Sequence, residues 1–131
     1  MAKLERINPP GTEAIYERFK FSQAVVAGGR VEVAGQVGIA ADLTIPDDIS
    51  EQARNAFTNL KRVLEAAGSS LENVLHLTQY FTDIRDTAAV DKVFAEFFPA
   101  NYPARTVVQV VALVLPTLKL EIQASAAVVD A

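Results

Sequence analysis

From Ile49 to Ala67 the apolar residues Ile49, Ala53, Ala56, Phe57, Leu60, Val63, Leu64 and Ala67 recur at helical spacing, with Glu51, Arg54, Lys61, Arg62 and Glu65 between them. That pattern puts the first set on one stripe of an α-helix and the second in water. Asp47 and Asp48 suit the positive end of such a helix, and Gly68 suits a left-handed terminus. A second stripe, Val90, Val93, Phe94, Phe97 and Phe98, predicts a helix from about Thr87 to Phe98, with Asp86 as its cap and Pro99 as its stop.

Strand signals surround the two helices. Phe21 to Ala27 and Arg30 to Val37 are short, rich in Val and Ala, and separated by Gly28-Gly29, the two-residue loop of a hairpin. Val74 to Thr82 alternates branched and aromatic residues. Two last strands, about Arg105 to Leu113 and Lys119 to Val128, turn around Leu115-Pro116-Thr117. Residues 1 to 16 mix charge with Pro-Pro-Gly and show no period, so they read as a lead-in or irregular edge. The order strand, strand, helix, strand, helix, strand, strand predicts an α+β fold: a mixed β-sheet with two helices packed on one face.

On the last strand Leu118, Leu120, Ile122, Ala124, Ala126 and Val128 alternate with Lys119, Glu121, Gln123, Ser125 and Ala127, so the first set belongs under the helices. The preceding strand is largely apolar on both faces. A sheet with helices on one side only should not be, so either another copy of the chain covers the other face, the simpler reading and one that predicts self-association, or the layering is different.

With 131 residues, half of them hydrophobic, the chain fits one domain spanning 1–131. It has no cysteine, which removes thiolate nucleophiles, thiolate zinc sites and iron–sulfur clusters. Twelve basic against sixteen acidic residues give a net charge of −4, a far field that repels a phosphate backbone, while leaving Lys20 and Arg105 eligible for local anion binding. The N-terminus runs from charge into Asn8-Pro9-Pro10-Gly11 without an apolar signal core, and Val107 to Leu115 is far too short to span a bilayer. The expectation is a cytoplasmic protein with no nucleic-acid and no membrane partner.

The residues offer little motif-borne chemistry. There is no G-x-S-x-G, phosphate-binding loop, G-x-G-x-x-G or H-E-x-x-H. His76, the only histidine, reads as a strand residue with one bonded nitrogen, and Asp47-Asp48 as dipole partners of a helix rather than metal ligands. Gly35 and Gly38, at the end of the second strand, mark a bulge or a place where a ligand approaches the backbone, and the bulge is the commoner reason. Arg105 and Glu121 stand out as charges among apolar strand residues. Two readings of them are open: they pair with each other, or Arg105 clamps a substrate carboxylate while Glu121 positions water or moves a proton.

Tyr102-Pro103-Ala104-Arg105-Thr106-Val107-Val108-Gln109-Val110 followed by Lys119-Leu120-Glu121-Ile122-Gln123-Ala124 closely resembles the C-terminal signature of the Rid (YjgF-type) imine deaminases. Phe21-Ser22-Gln23-Ala24-Val25, Ala34-Gly35-Gln36, and Gln52 through Gly68 resemble further segments of that family in the same order, covering roughly Phe21 to Val128. The resemblance implies a chorismate-mutase-like (YjgF-like) α+β fold assembled as a homotrimer, with sites in clefts between subunits. It implies hydrolysis of enamines and imines of the 2-aminoacrylate/2-iminopropionate type to 2-oxo acids and ammonia, without a cofactor or metal. Arg105 would bind the substrate carboxylate of a small 2-imino acid, Glu121 would orient the attacking water, and Phe21, Gly35, Asp91 and Val107 would line the pocket. Three positions depart from the family pattern: Phe21 stands for its usual Tyr, Val107 for its Cys, and Asp91 for its Asn. Loss of the Tyr hydroxyl keeps a second reading in view, a non-catalytic relative that binds small carboxylates or a protein partner. RNA cleavage, a third activity attached to relatives, is disfavoured by the acidic charge and the absence of a basic stripe.

Overall fold

The structure, a computed structural model, describes residues 3–129, so Met1, Ala2, Asp130 and Ala131 lie outside the described residues. Its elements in chain order are β1 (Glu5–Ile7), α1 (Glu13–Phe19), β2 (Ala24–Ala27), β3 (Arg30–Val37), α2 (Ile49–Ala66), β4 (Val74–Phe81), α3 (Thr87–Phe97), β5 (Ala104–Gln109) and β6 (Leu120–Ala127). The strands form one mixed sheet in the order β1-β2-β3-β6-β4-β5, in which only the β4–β5 pair is parallel.

Local chemistry explains most of these boundaries. Gly28 and Gly29 both take positive φ, 56° and 77°, which matches the hairpin turn to the twist of β2 and β3. Asp48 caps α2 by accepting from Glu51 N, and Gly68 leaves it at φ 82°. Asp86 makes no side-chain capping bond to α3, contrary to the sequence reading. A single 3₁₀ turn at Ile84–Asp86 runs straight into the helix, and Asp83 and Thr87 bond that turn instead.

Among the described residues there are three α-helices: α2 and α3 are the two expected, and α1 is additional. α1 and β1 occupy the stretch read as irregular: α1 has no buried residue to create a stripe, and three residues of β1 are too few to show alternation. α2 and α3 pack on one face of the sheet over Val31, Val33, Leu77, Phe81, Leu120 and Ile122. Phe57 of α2 sits among Phe94, Phe97 and Phe98, with ring centroids 6.1, 5.4 and 6.1 Å away. Gln52, fully buried, joins α2 to both flanking loops: its amide donates to Pro46 O and Thr117 O and accepts from Lys119 N.

β5 ends at Gln109 rather than Leu113. Val110 N still bonds Phe81 O, but β4 ends there, and without a partner the apolar run continues as irregular, exposed chain in which Val111 and Val114 project into solvent. The other face of the sheet also differs from expectation. It carries Arg30, Glu32, His76, Thr78, Tyr80, Thr106, Gln123 and Ser125, tied by Arg30–Glu32 (2.7 Å), His76–Thr106 (2.9 Å) and Tyr80–Gln123 (2.7 Å) contacts. Val107 and Val108 of β5 and Val111 and Val114 beyond it are uncovered apolar side chains, and others, among them Phe19, Leu75 and Tyr102, lie elsewhere on the surface.

The close approach of β3's end to α2 makes one glycine indispensable. A Cβ on Gly38 would lie 2.6 Å from Gln52 Cα and 2.7 Å from Gln52 O, which are backbone atoms that cannot rotate away. Gly38→Ala is expected to destabilise the fold by about 2–3 kcal/mol through overpacking, read as a lower urea midpoint at unchanged m-value. An unchanged midpoint would contradict the packing described.

Candidate active site

Arg105 lies on the edge strand β5 in register with Leu77, so its side chain rises on the helix-covered face. There α3 meets it. The guanidinium donates from Nε to Gln79 Oε1 at 2.9 Å and from Nη2 to Asp91 Oδ1 at 2.8 Å, with its carbon 3.8 Å from the centre of the Phe94 ring. Nε and Nη2 form one of the two forks of an arginine, and both are taken. The end fork, Nη1 with the second hydrogen of Nη2, has no partner among the described residues, and 27% of the side chain remains exposed. A planar donor held on one edge and stacked on an aromatic ring, with its other edge open, is preorganised to take a carboxylate in two parallel hydrogen bonds. Val107 follows on the same side of β5, in register with Gln79 and partly exposed.

Glu121 is placed quite differently. On β6 it pairs with Tyr80 and Val37, out of phase with the buried Leu120 and Ile122, so it leaves the sheet on the opposite face from Arg105. It is the only charged side chain in the wall of a cavity of about 220 Å³, among Phe19 and Phe21, Val37, Leu115 and Leu118. Burial pushes its carboxyl above the usual range. Gly35 sits at the shift in β3–β6 register, where a Cβ would collide with the Glu121 carboxylate. The glycine thus marks the bulge its position suggested, and what approaches its backbone is the Glu121 side chain of the same chain.

The six residues singled out from the sequence therefore fall into two groups. Phe21, Gly35 and Glu121 share the cavity; Asp91 and Arg105 are bonded, with Val107 beside them. β4 separates the strands of the two groups, and their side chains leave opposite faces of the sheet. An Arg105–Glu121 ion pair within one chain, the first of the two open readings, is overturned: the partner of Arg105 is Asp91.

Gln79 is a member the sequence reading missed. It is fully buried, its carbonyl oxygen is fixed by Arg105 Nε, and its amide nitrogen has no hydrogen-bond partner. An orphaned buried donor costs about 1–3 kcal/mol, so hydrophobic replacement need not weaken the fold. Gln79→Leu is expected to leave stability unchanged or raised while Arg105 loses an anchor. If Arg105 binds substrate, its KM should rise about tenfold with a smaller change in kcat. Equal KM values for the two proteins would show that Gln79 does not position Arg105.

Comparison with known proteins finds relatives both in sequence and in fold. The family model described as Endoribonuclease L-PSP matches residues 11–128. A curated relative, the 2-iminobutanoate/2-iminopropanoate deaminase of Capra hircus, is 37% identical over 95 residues, covering 71% of this chain and 69% of its own. Among solved structures, a Mycobacterium tuberculosis member of the YjgF/YER057c/UK114 family superposes with a TM-score of 0.83 at 33% identity, covering 96% of this chain and all of the other (100%). Escherichia coli TdcF, solved with bound serine, superposes with a TM-score of 0.78 at 36% identity over 82% of this chain and 87% of its own. On the extent of these matches and the shared sheet, the chain belongs to the endoribonuclease L-PSP family, also known as the YjgF/Rid family.

Proposed function

We propose that this protein is a deaminase that hydrolyses small 2-imino acids, and the enamines that tautomerise to them, to 2-oxo acids and ammonia. The observation that carries the reading is the open end fork of a rigidly held Arg105, a receptor for one carboxylate. The deaminase name of the goat relative supports the reaction type.

In the proposed reaction the substrate carboxylate docks on the end fork of Arg105, and Glu121 orients a water molecule toward the C=N carbon. The water oxygen bonds to that carbon, the C=N π pair moves to nitrogen, and Glu121 relays the proton from water to nitrogen. Collapse of the resulting carbinolamine passes its hydroxyl proton to nitrogen, forms the C=O bond, breaks the C–N bond and releases ammonia. The imine carbon is already electrophilic, so orientation, one charge clamp and a proton path suffice. A carboxyl whose affinity for protons is raised by burial is a better base for that relay than an exposed one.

Because Arg105 and Glu121 leave opposite faces of one sheet, the proposed cleft takes Arg105 from one copy and Glu121 from the next, as in the homotrimer implied by the resemblance. The exposed apolar residues Val107, Val108 and Val111 are surface such an interface would bury. The reading is tested by generating 2-iminopropanoate in place with an amino-acid oxidase and trapping what survives with semicarbazide. Adding the protein should suppress semicarbazone formation. Trapping equal to the protein-free control across several imino acids would reject the deaminase reading.

A further inference from the structure

We infer that Asp91 makes the Arg105 anchor selective for ligands that carry a cation one carbon from the carboxylate, 2-iminio or 2-ammonio acids, over plain carboxylates of the same size. This rests on the reading of Arg105 as the carboxylate anchor and adds the charge type of its ligand.

The protein itself already compensates the charge of Arg105. Three electron-rich partners converge on one guanidinium: the Gln79 carbonyl, the Asp91 carboxylate and the face of Phe94. The Arg105–Asp91 pair has no net charge, so a simple monoanion gains two hydrogen bonds at the end fork but little Coulomb attraction. It also brings its own negative charge up beside Asp91. Only Oδ1 of that carboxylate is engaged, Oδ2 has no partner among the described residues, and 58% of the side chain is exposed. The other acid on this stretch of α3, Glu96, is held by Arg54, which leaves Asp91 as the carboxylate beside the anchor.

A ligand with an iminium or ammonium group at C2 reverses the balance. With its carboxylate on the end fork, the cation lies a single carbon away and meets the free oxygen of Asp91. The pair of sites, a donor fork and an adjacent acceptor, then matches a zwitterion in both signs and repels a plain anion at one of them. An enzyme that releases a 2-oxo acid gains from such a pair: the product keeps the carboxylate but has lost the cationic nitrogen, so it is the weaker ligand.

L-alanine and propanoate share a carbon skeleton and differ in the 2-ammonium group, so calorimetric titration of both into the full-length protein reads the effect directly. The wild type should prefer alanine. Asp91→Asn is isosteric and still accepts from Nη2, so the pose of Arg105 is kept while the charge is removed. In that variant the alanine-to-propanoate affinity ratio should fall about tenfold or more, with propanoate binding tighter than in the wild type. An unchanged ratio overturns the inference. A third protein, Arg105→Ala, keeps the two failures apart. If it binds both ligands as the wild type does, the carboxylate-anchor reading is itself wrong, and the same holds if the wild type binds neither. If it loses both while Asp91→Asn leaves the ratio unchanged, the anchor stands and only the role of Asp91 is rejected.

Discussion

Arg105→Ala is expected to lower kcat/KM for 2-iminopropanoate hydrolysis by about 100-fold or more, the size of effect that follows from removing a charged, bidentate partner in a preorganised site. Loss of the side chain also strands the carbonyl of the buried Gln79, so a modest drop in stability, about 1–2 kcal/mol, should accompany it. Arg105→Lys separates the two effects. Lysine restores a positive charge near Asp91 but presents a point charge in place of a planar fork, so it should recover stability better than activity. Recovery of most of the activity by lysine would show that charge alone, not the two parallel hydrogen bonds of the end fork, holds the substrate.

The second large effect is expected at Glu121. Glu121→Gln keeps the shape of the side chain over Gly35 but removes its basicity, and should lower kcat by about 100-fold or more if it relays the proton from water. Stability should move the other way. Burial raises the folded-state carboxyl above its ordinary value of 4.5, so the native state holds this proton to a higher pH than the unfolded chain does. Its unfavourable ionisation therefore takes stability away as pH rises from about 4.5 through the raised value, and glutamine does not ionise. The variant should gain stability relative to wild type at pH 8 and lose that advantage at pH 4, measured by urea unfolding at both values. A constant difference across that range would contradict the burial of an ionising group at this position.

Much of this architecture is legible in the chain. α2 shows itself because a long amphipathic stripe, an Asp48 cap and a Gly68 terminus all agree. The β2–β3 hairpin follows from Gly28-Gly29 for the same reason. The apolar run from Val107 onward misleads because strand character needs a neighbouring strand as well as β-branched residues, and β4 ends at Phe81. β1 and α1 escape because neither is long enough or buried enough to print a period. The candidate site is legible as two charges among apolar strand residues, and not in how the fold places them. Arg105 and Glu121 can be named from their neighbours, but which face each takes is set by pairing with Leu77 and Tyr80, long-range registers absent from any local pattern. Gln79 had a readable signal: it shares the parity of Leu77 and Phe81, so a glutamine at a core position of β4 announces a buried amide that needs a partner.

In the proposed reaction one cleft takes Arg105 from one copy of the chain and Glu121 from another. Co-expression of Arg105→Ala with Glu121→Gln, each inactive alone, tests it most directly. Random assembly in which each cleft joins two neighbouring copies leaves about one cleft in four with both residues intact, so the mixture should recover about a quarter of wild-type deaminase activity. A mixture as inactive as either variant alone would contradict the shared cleft.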